Sequence, residues 1–364
     1  MNLRACGLAL ALACSAQAQA ADNRQATVNL YIWGEYLAPD TLANFEKSTG
    51  IRVVADHFDS LETVETKLLT GRSGYDLVLT AGQHLSRAIS SGALQPLDKT
   101  RLPHLAGVGE EFRQHMAVFD PGNRYAGTYA WGTTGVGYQQ QAVEARLPSA
   151  PTDSWAMLFE PEVVSKFASC GVSLLNDPNE VFAAAMRYLG LDINRQRIED
   201  LQQAEALLQK VRPYIRYFDN DRNINDLANG ETCLAMSWNG NVAIAQQQAQ
   251  QASKAVTLNF SIPREGTLIW LDALVIPKDA PHPEAALALM DYLMRPEVIA
   301  PITDNIQYAN AITAADALVD PAIRSAPATY PPAEVRARLY SKNDNSKAFN
   351  RALTRAFSRL KSGT

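Results

Sequence analysis

Once its first twenty residues are set aside, this 364-residue chain keeps two cysteines and no apolar run long enough to cross a bilayer. Histidine is scarce as well: His57, His84, His104, His115 and His282 stand apart, and no two have the spacing that would make them metal ligands on one helix. Asp56 and His57 are adjacent, but strand alternation sends them to opposite faces, so a solvated strand end is expected there and no metal. The signatures of a serine hydrolase elbow, a phosphate loop and a zinc protease helix are all missing. Gly132-Thr-Thr-Gly-Val-Gly137 lacks both the dinucleotide fingerprint and a phosphate-loop lysine, and reads as close backbone packing beside a crossover. Nor is there an excess of basic charge. The 33 Lys and Arg face 38 Asp and Glu, a net charge of −5, and loss of Arg4 with the leader makes it −6. That balance argues against nucleic acid and anionic membrane surfaces as partners.

The leader itself is informative. Arg4 is its only charge, an apolar stretch runs from Ala5 to Cys14, and Ala16-Gln17-Ala18-Gln19-Ala20 follows. A basic start, a short apolar core and an A-x-A site describe a secretory signal peptide over residues 1–20, cut after Ala18 or Ala20. Lipidation at Cys14 is the alternative, but Ala11 stands where a large aliphatic residue is usual. An exported chain lies in an oxidising compartment, where Cys170 and Cys233 form one disulfide or remain as two buried thiols.

About 340 residues exceed what one hydrophobic core usually supports, which predicts two lobes. Val28–Trp33, Ile51–Ala55 and Asp76–Thr80 read as strands separated by two helices, one stopped at Gly50, the other starting at Asp59 or Ser60 and ending at Gly71. Strand, helix, strand, helix, strand at this spacing predicts a parallel α/β lobe whose strand ends carry the ligand-facing loops. Further helices are expected near 154–159, 180–189, 198–211, 224–228, 283–294 and 346–361, with strands near 233–238, 256–262 and 268–276. The expected division puts residues 27–130 and about 250–300 in the N-terminal lobe, and about 131–249 and 301–364 in the C-terminal one.

Aromatic and acidic residues cluster at several of these loop ends: Trp33-Gly34-Glu35-Tyr36, the stretch ending in Glu180, Trp238-Asn239-Gly240-Asn241, Trp270-Leu271-Asp272 and Gln307-Tyr308. A buried alkylammonium needs a carboxylate to offset its lost hydration, and aromatic faces add about 0.5–2 kcal/mol each by cation–π attraction. Spacing alone does not assemble these clusters into a site. At these residues, however, the chain resembles the periplasmic polyamine-binding proteins of ABC importers, most closely the putrescine-binding branch. The likeness runs over nearly the whole mature chain. It is carried by Glu35–Lys47, Ser169–Ser173, Ile215–Phe218, Ile224–Gly230, Tyr308–Asn310 and Tyr330–Arg336.

The resemblance implies an α/β fold of two hinged lobes, the type II periplasmic binding protein fold, with crossover strands and a ligand cleft between the lobes. It implies a monomeric receptor that captures a small cationic amine and delivers it to an inner-membrane ABC permease, with no cofactor. Carried over by position, Trp33, Tyr36, Trp238, Trp270 and Tyr308 form an aromatic box. Glu180 and Asp272 become ammonium partners, Glu35 stands in the place of a shorter acid, and Cys170 pairs with Cys233. Gly34 and Ala81 fall where the putrescine binders have serines, and Asn241 where they have an aspartate. An amide accepts a hydrogen bond from an ammonium without neutralising it, a loss of about 1–2 kcal/mol at that end. The ligand is therefore a polyamine or related diamine, or else an amine such as agmatine, an acetylated polyamine or 4-aminobutyrate. A secreted enzyme using Glu35 and Asp272 as an acid–base pair is the remaining reading, with no nucleophile to accompany them.

Overall fold

Ten strands carry the architecture of the computed structural model, which describes residues 26–34 and 36–363; the leader (1–20) and Glu35 lie outside the described residues. In chain order they are β1 (Thr27–Trp33), β2 (Arg52–Phe58), β3 (Leu77–Ala81), β4 (Ala126–Gln139), β5 (Val172–Leu174), β6 (Tyr217–Phe218), β7 (Leu234–Trp238), β8 (Leu258–Ser261), β9 (Ile269–Val275) and β10 (Ala309–Asn310). Their order is β2-β1-β3-β9-β4-β7-β5-β6, with β10 and β8 also paired to β4. β1 is parallel to both β2 and β3, as the strand–helix alternation predicts. The helix Thr41–Thr49 stops at Gly50, which takes the left-handed φ of 72° that only glycine adopts freely. The next helix, Leu61–Thr70, is capped by Ser60, whose hydroxyl accepts from the Thr63 amide, so Ser60 and not Asp59 opens it.

β4 holds the molecule together. Its first half pairs with β9, from Ala126 opposite Val275 to Thr133 opposite Ile269, and its second half pairs with β7 and β8. The glycines of this strand do what close packing asks of them. A Cβ on Gly132 would overlap the Trp270 ring, and one on Gly137 would press into Val242.

Two large apolar cores flank this strand. The first gathers β1, β3, β9 and the helix Pro283–Leu293 around Leu30, Ile32, Leu79, Leu274 and Met290. The second gathers Trp155, Phe159, Phe167, Phe182, Leu208 and, from the C-terminal helix Lys347–Ser362, Phe349 and Leu353. The division between them differs from the one expected at both late boundaries. β8 pairs with the second half of β4, and Leu258 packs with Leu227 and Val242, so residues 258–261 belong with the second lobe. Residues 301–339 belong largely with the first: Ile302, Ile306, Ala309, Ile312 and Leu339 are buried in its core, and β10 pairs with Ala130 and Trp131. The unanticipated helix Pro296–Ile306, with Pro301 inside it, is what carries the chain back to that core. The chain thus passes between cores three times: along β4, between β8 and β9, and between Leu339 and Phe349. On the last crossing, Ser341 meets His115 of the first lobe at 2.9 Å.

Cys170 and Cys233 are joined in a disulfide that ties the turn before β5 to the start of β7. Its closed loop, with a sequence separation of 63, restricts the unfolded chain by roughly 4 kcal/mol in the loop-entropy account. Replacing both cysteines by alanine is expected to lower the thermal unfolding midpoint of the second lobe by about 5–15 °C, read by calorimetry. An unchanged midpoint would show that the bond adds nothing to stability.

Candidate functional site

The register of β9 places two side chains on one face. Trp270 lies opposite Gly132 and Asp272 opposite Ala130 and Ala81, so both point to the same side of the sheet. Asp272 is 6 % exposed, and its near partner is a phenol: the Tyr36 hydroxyl donates to it at 2.6 Å. Tyr36 is held in turn by Tyr129, whose hydroxyl donates to the Tyr36 carbonyl at 3.0 Å. Burial raises the Asp272 carboxyl to about 7, while the bond from Tyr36 pulls it down only in part. Burial and the neighbouring carboxylate push Tyr36 well above the ordinary phenol range, so the proton stays on the tyrosine.

A second carboxyl approaches from the other lobe. The helix Pro178–Tyr188 opens after Asp177, whose carboxylate caps it by accepting from the amides of Asn179 and Glu180. Glu180 is therefore held in the first turn, where it is 9 % exposed. The Thr134 hydroxyl donates to it at 2.7 Å and the Trp238 indole also bonds it. Burial and the charge of Asp177 raise Glu180 to about 8 against the pull of Thr134, Trp238 and Lys342.

Between the two runs a tyrosine–amide contact. Tyr308, part of the first core, rests on Gly240 of the second lobe; a Cβ at Gly240 would overlap its ring. Its hydroxyl donates to Asn241 Oδ1 at 2.9 Å, and Asn241 Nδ2 donates to the Asn220 carbonyl at 3.0 Å. Tyr308 meets Trp270 edge to face at 4.8 Å and lies 6.5 Å from Tyr36. The Trp270 indole N–H is buried without a hydrogen-bond partner among the described residues. Trp238 packs against both cores.

The structure therefore brings Tyr36, Asp272, Trp270, Tyr308 and Asn241 into one connected set, with Glu180 and Trp238 in a second. Trp33 ends β1 with its ring against Phe58 at 4.3 Å and packs against the first core. Ala81 sits opposite Asp272, and Gly34 leaves open space where a side chain would be. Sequence reasoning missed Tyr129, Thr134 and Asn220, which orient the residues it did name. Thr134 was within reach, because it lies two residues from Gly132 on the same strand face; nothing local marks Tyr129 or Asn220.

Residues 40–331 match the profile of the family described as "Bacterial extracellular solute-binding protein". The chain belongs to that family. It is 45 % identical over 341 residues to the putrescine-binding periplasmic protein PotF of Escherichia coli K12, covering 93 % of this chain and 92 % of that one. It is 44 % identical over 365 residues to a putrescine/agmatine-binding protein of Pseudomonas aeruginosa PAO1, covering 99 % and 100 %. Among solved structures, the spermidine/putrescine substrate-binding protein PotD of Streptococcus pneumoniae superposes with a TM-score of 0.81 at 24 % identity, over 93 % of this chain and 99 % of that one. That likeness supports the fold alone, a two-lobed solute-binding fold of mixed α/β sheet. The chain is a solute receptor by family and architecture.

The buried carboxyl of Asp272 has a measurable cost. Its folded value, about 7, lies above the ordinary 3.8, so the folded state holds more protons between those limits and stability falls as pH rises through them. Asp272→Asn keeps a partner for Tyr36 and removes that cost. It is expected to stabilise the ligand-free protein by roughly 2–4 kcal/mol at pH 8 and hardly at all near pH 4, measured by chemical denaturation. A variant that is less stable at pH 8 would contradict this electrostatic assignment.

Proposed function

We propose that this receptor captures a polyamine or related diamine in the periplasm and delivers it, as a monomer, to an inner-membrane ABC permease. The observation that carries the reading is Asp272, a buried carboxylate whose one hydrogen-bond partner among the described residues is a phenol and whose ionisation is opposed by burial. An ammonium at this position supplies the charge that the protein leaves out, at a strength beyond a neutral hydrogen bond. Glu180 offers a second carboxylate from the opposite lobe. Trp33, Tyr36, Trp238, Trp270 and Tyr308 supply aromatic surface for a methylene chain and its cationic ends, and Glu35 adds charge at the β1 loop. Relatives named for putrescine binding, at 43–45 % identity over nearly the whole chain, support the same ligand class. Export of the chain rests on the leader sequence and on the periplasmic names of those relatives. Among the described residues no helix is long and apolar enough to cross a membrane.

A second reading keeps the receptor and changes one end of the ligand. The Asn241 amide carries no charge, and the unpartnered Trp270 N–H is a donor that an ammonium cannot satisfy. The Trp270 donor favours an amine whose far end bears an acceptor, as in acetylputrescine or 4-aminobutyrate, while the uncharged Asn241 amide also admits the delocalised cation of agmatine.

Calorimetric titration with putrescine, cadaverine, spermidine, agmatine, acetylputrescine and 4-aminobutyrate separates the readings. A diamine that binds best supports the first, and failure of every amine overturns both. The proton balance adds a stricter check. Burial raises Asp272 to about 7 and Glu180 to about 8 in the free protein, and a bound cation lowers both, so binding at pH 7 is expected to release between about one and two protons. Affinity then rises between pH 6 and pH 8, before the amine itself loses its charge. Repeating the titration in buffers of different ionisation enthalpy reads the proton number directly; zero release would remove these carboxyls from the contact.

A further inference from the structure

The amide at position 241 is fixed by more than Tyr308. Its Nδ2 donates to the Asn220 carbonyl, which also accepts from Asn223 Nδ2 at 2.9 Å, and the Asn220 side chain accepts from the Asn176 amide at 2.9 Å. A carboxylate at 241 would set an oxygen against that carbonyl, so the 219–221 loop as built calls for an amide there. Negative charge for this end of the cleft has to come from elsewhere.

The same loop carries a candidate one residue further on. Asp221 is the N-cap residue of the helix Arg222–Asn229, yet its side chain makes no capping bond. Asp219 does that work, accepting from the amides of Asp221 and Arg222 at 2.9 and 2.8 Å. Arg222 is turned away, bonded to Asp226 at 3.0 Å and laid over the Tyr217 ring. The Asp221 carboxylate thus has no hydrogen bond or ion pair among the described residues, and Asp221 is exposed to solvent. It lies within electrostatic reach of Tyr308, the residue that holds Asn241, and adds to the forces keeping that phenol protonated.

We propose that Asp221, acting across Asn241 and Tyr308, supplies negative charge at the Asn241 end of the cleft, so that a dication meets a third carboxylate beside those of Asp272 and Glu180. The inference rests on the diamine reading above. It makes Asp221 a specificity residue: it favours ligands with a second positive charge over those with a neutral far end. A group that keeps contact with water acts through a screened field, so its effect is moderate and depends on salt.

The test compares wild type, Asp221→Asn and Asp221→Glu for binding of putrescine and acetylputrescine by calorimetry, in low salt and in 0.5 M NaCl. Asparagine is as good an N-cap residue as aspartate, so the helix start is preserved. Asp221→Asn is expected to weaken putrescine about 3- to 5-fold in low salt and to leave acetylputrescine unchanged within about 1.5-fold. Asp221→Glu is expected to stay within about threefold of wild type for both, and the putrescine loss is expected to shrink in high salt. Wild type that binds putrescine while Asp221→Asn binds it equally well overturns the inference alone, as does an equal loss for both amines. Wild type that binds neither amine overturns the diamine reading and this inference with it.

Discussion

Taking a carboxylate out of water costs several kcal/mol unless a cation or a full set of hydrogen bonds replaces the solvent. Among the described residues Asp272 is buried with one phenolic donor and no cation beside it, and Glu180 with a hydroxyl and an indole. Much of the architecture around them holds this unfavourable arrangement in place. Gly132 lets Trp270 lie against β4, Tyr129 fixes Tyr36, and Asp177 starts the helix that presents Glu180. A receptor built this way gains from a ligand that brings the missing charge, which is the physical basis on which we propose that it selects a cation.

The same residues tie the proposed site to the meeting of the lobes. Tyr308 comes from the first core and rests on Gly240 and Asn241 of the second, while Thr134, on the crossing strand, reaches Glu180. Asp272, Glu180 and Asn241 are each buried to under a tenth of their surface where the two lobes meet. Parting them would return water to the carboxylates and lower the cost of their charge. A cationic ligand lowers that cost while the lobes stay together, so ligand and closure favour each other as in any two-state receptor.

Much of this was legible in the sequence because local rules and tertiary demands agree. The β1–β3 alternation, the stop at Gly50, the helix Ile198–Val211 and the capped C-terminal helix all follow from periodicity and terminal residues. The glycines of β4 were rightly read as close packing. The late boundaries were not legible, since Pro301 inside a helix disguises the element that returns the chain to the first core, and β8 is too short to announce which half of β4 it joins. At the proposed site, the resemblance supplied the residue types, but not the bonds that orient them. Asn241 illustrates the gap: read from sequence it is a missing charge, whereas in the fold it is an amide that both Tyr308 and the Asn220 carbonyl require.

The central claim is that Asp272 is kept as an unpaired buried carboxyl for a ligand cation. The direct measurement is carbon NMR of its side-chain carboxyl, assigned with Asp272→Asn, titrated with and without saturating putrescine. The account predicts a midpoint near 7 in the free protein, and ionisation maintained below pH 5 in the complex. A carboxyl that titrates in the ordinary aspartate range in both states would contradict it.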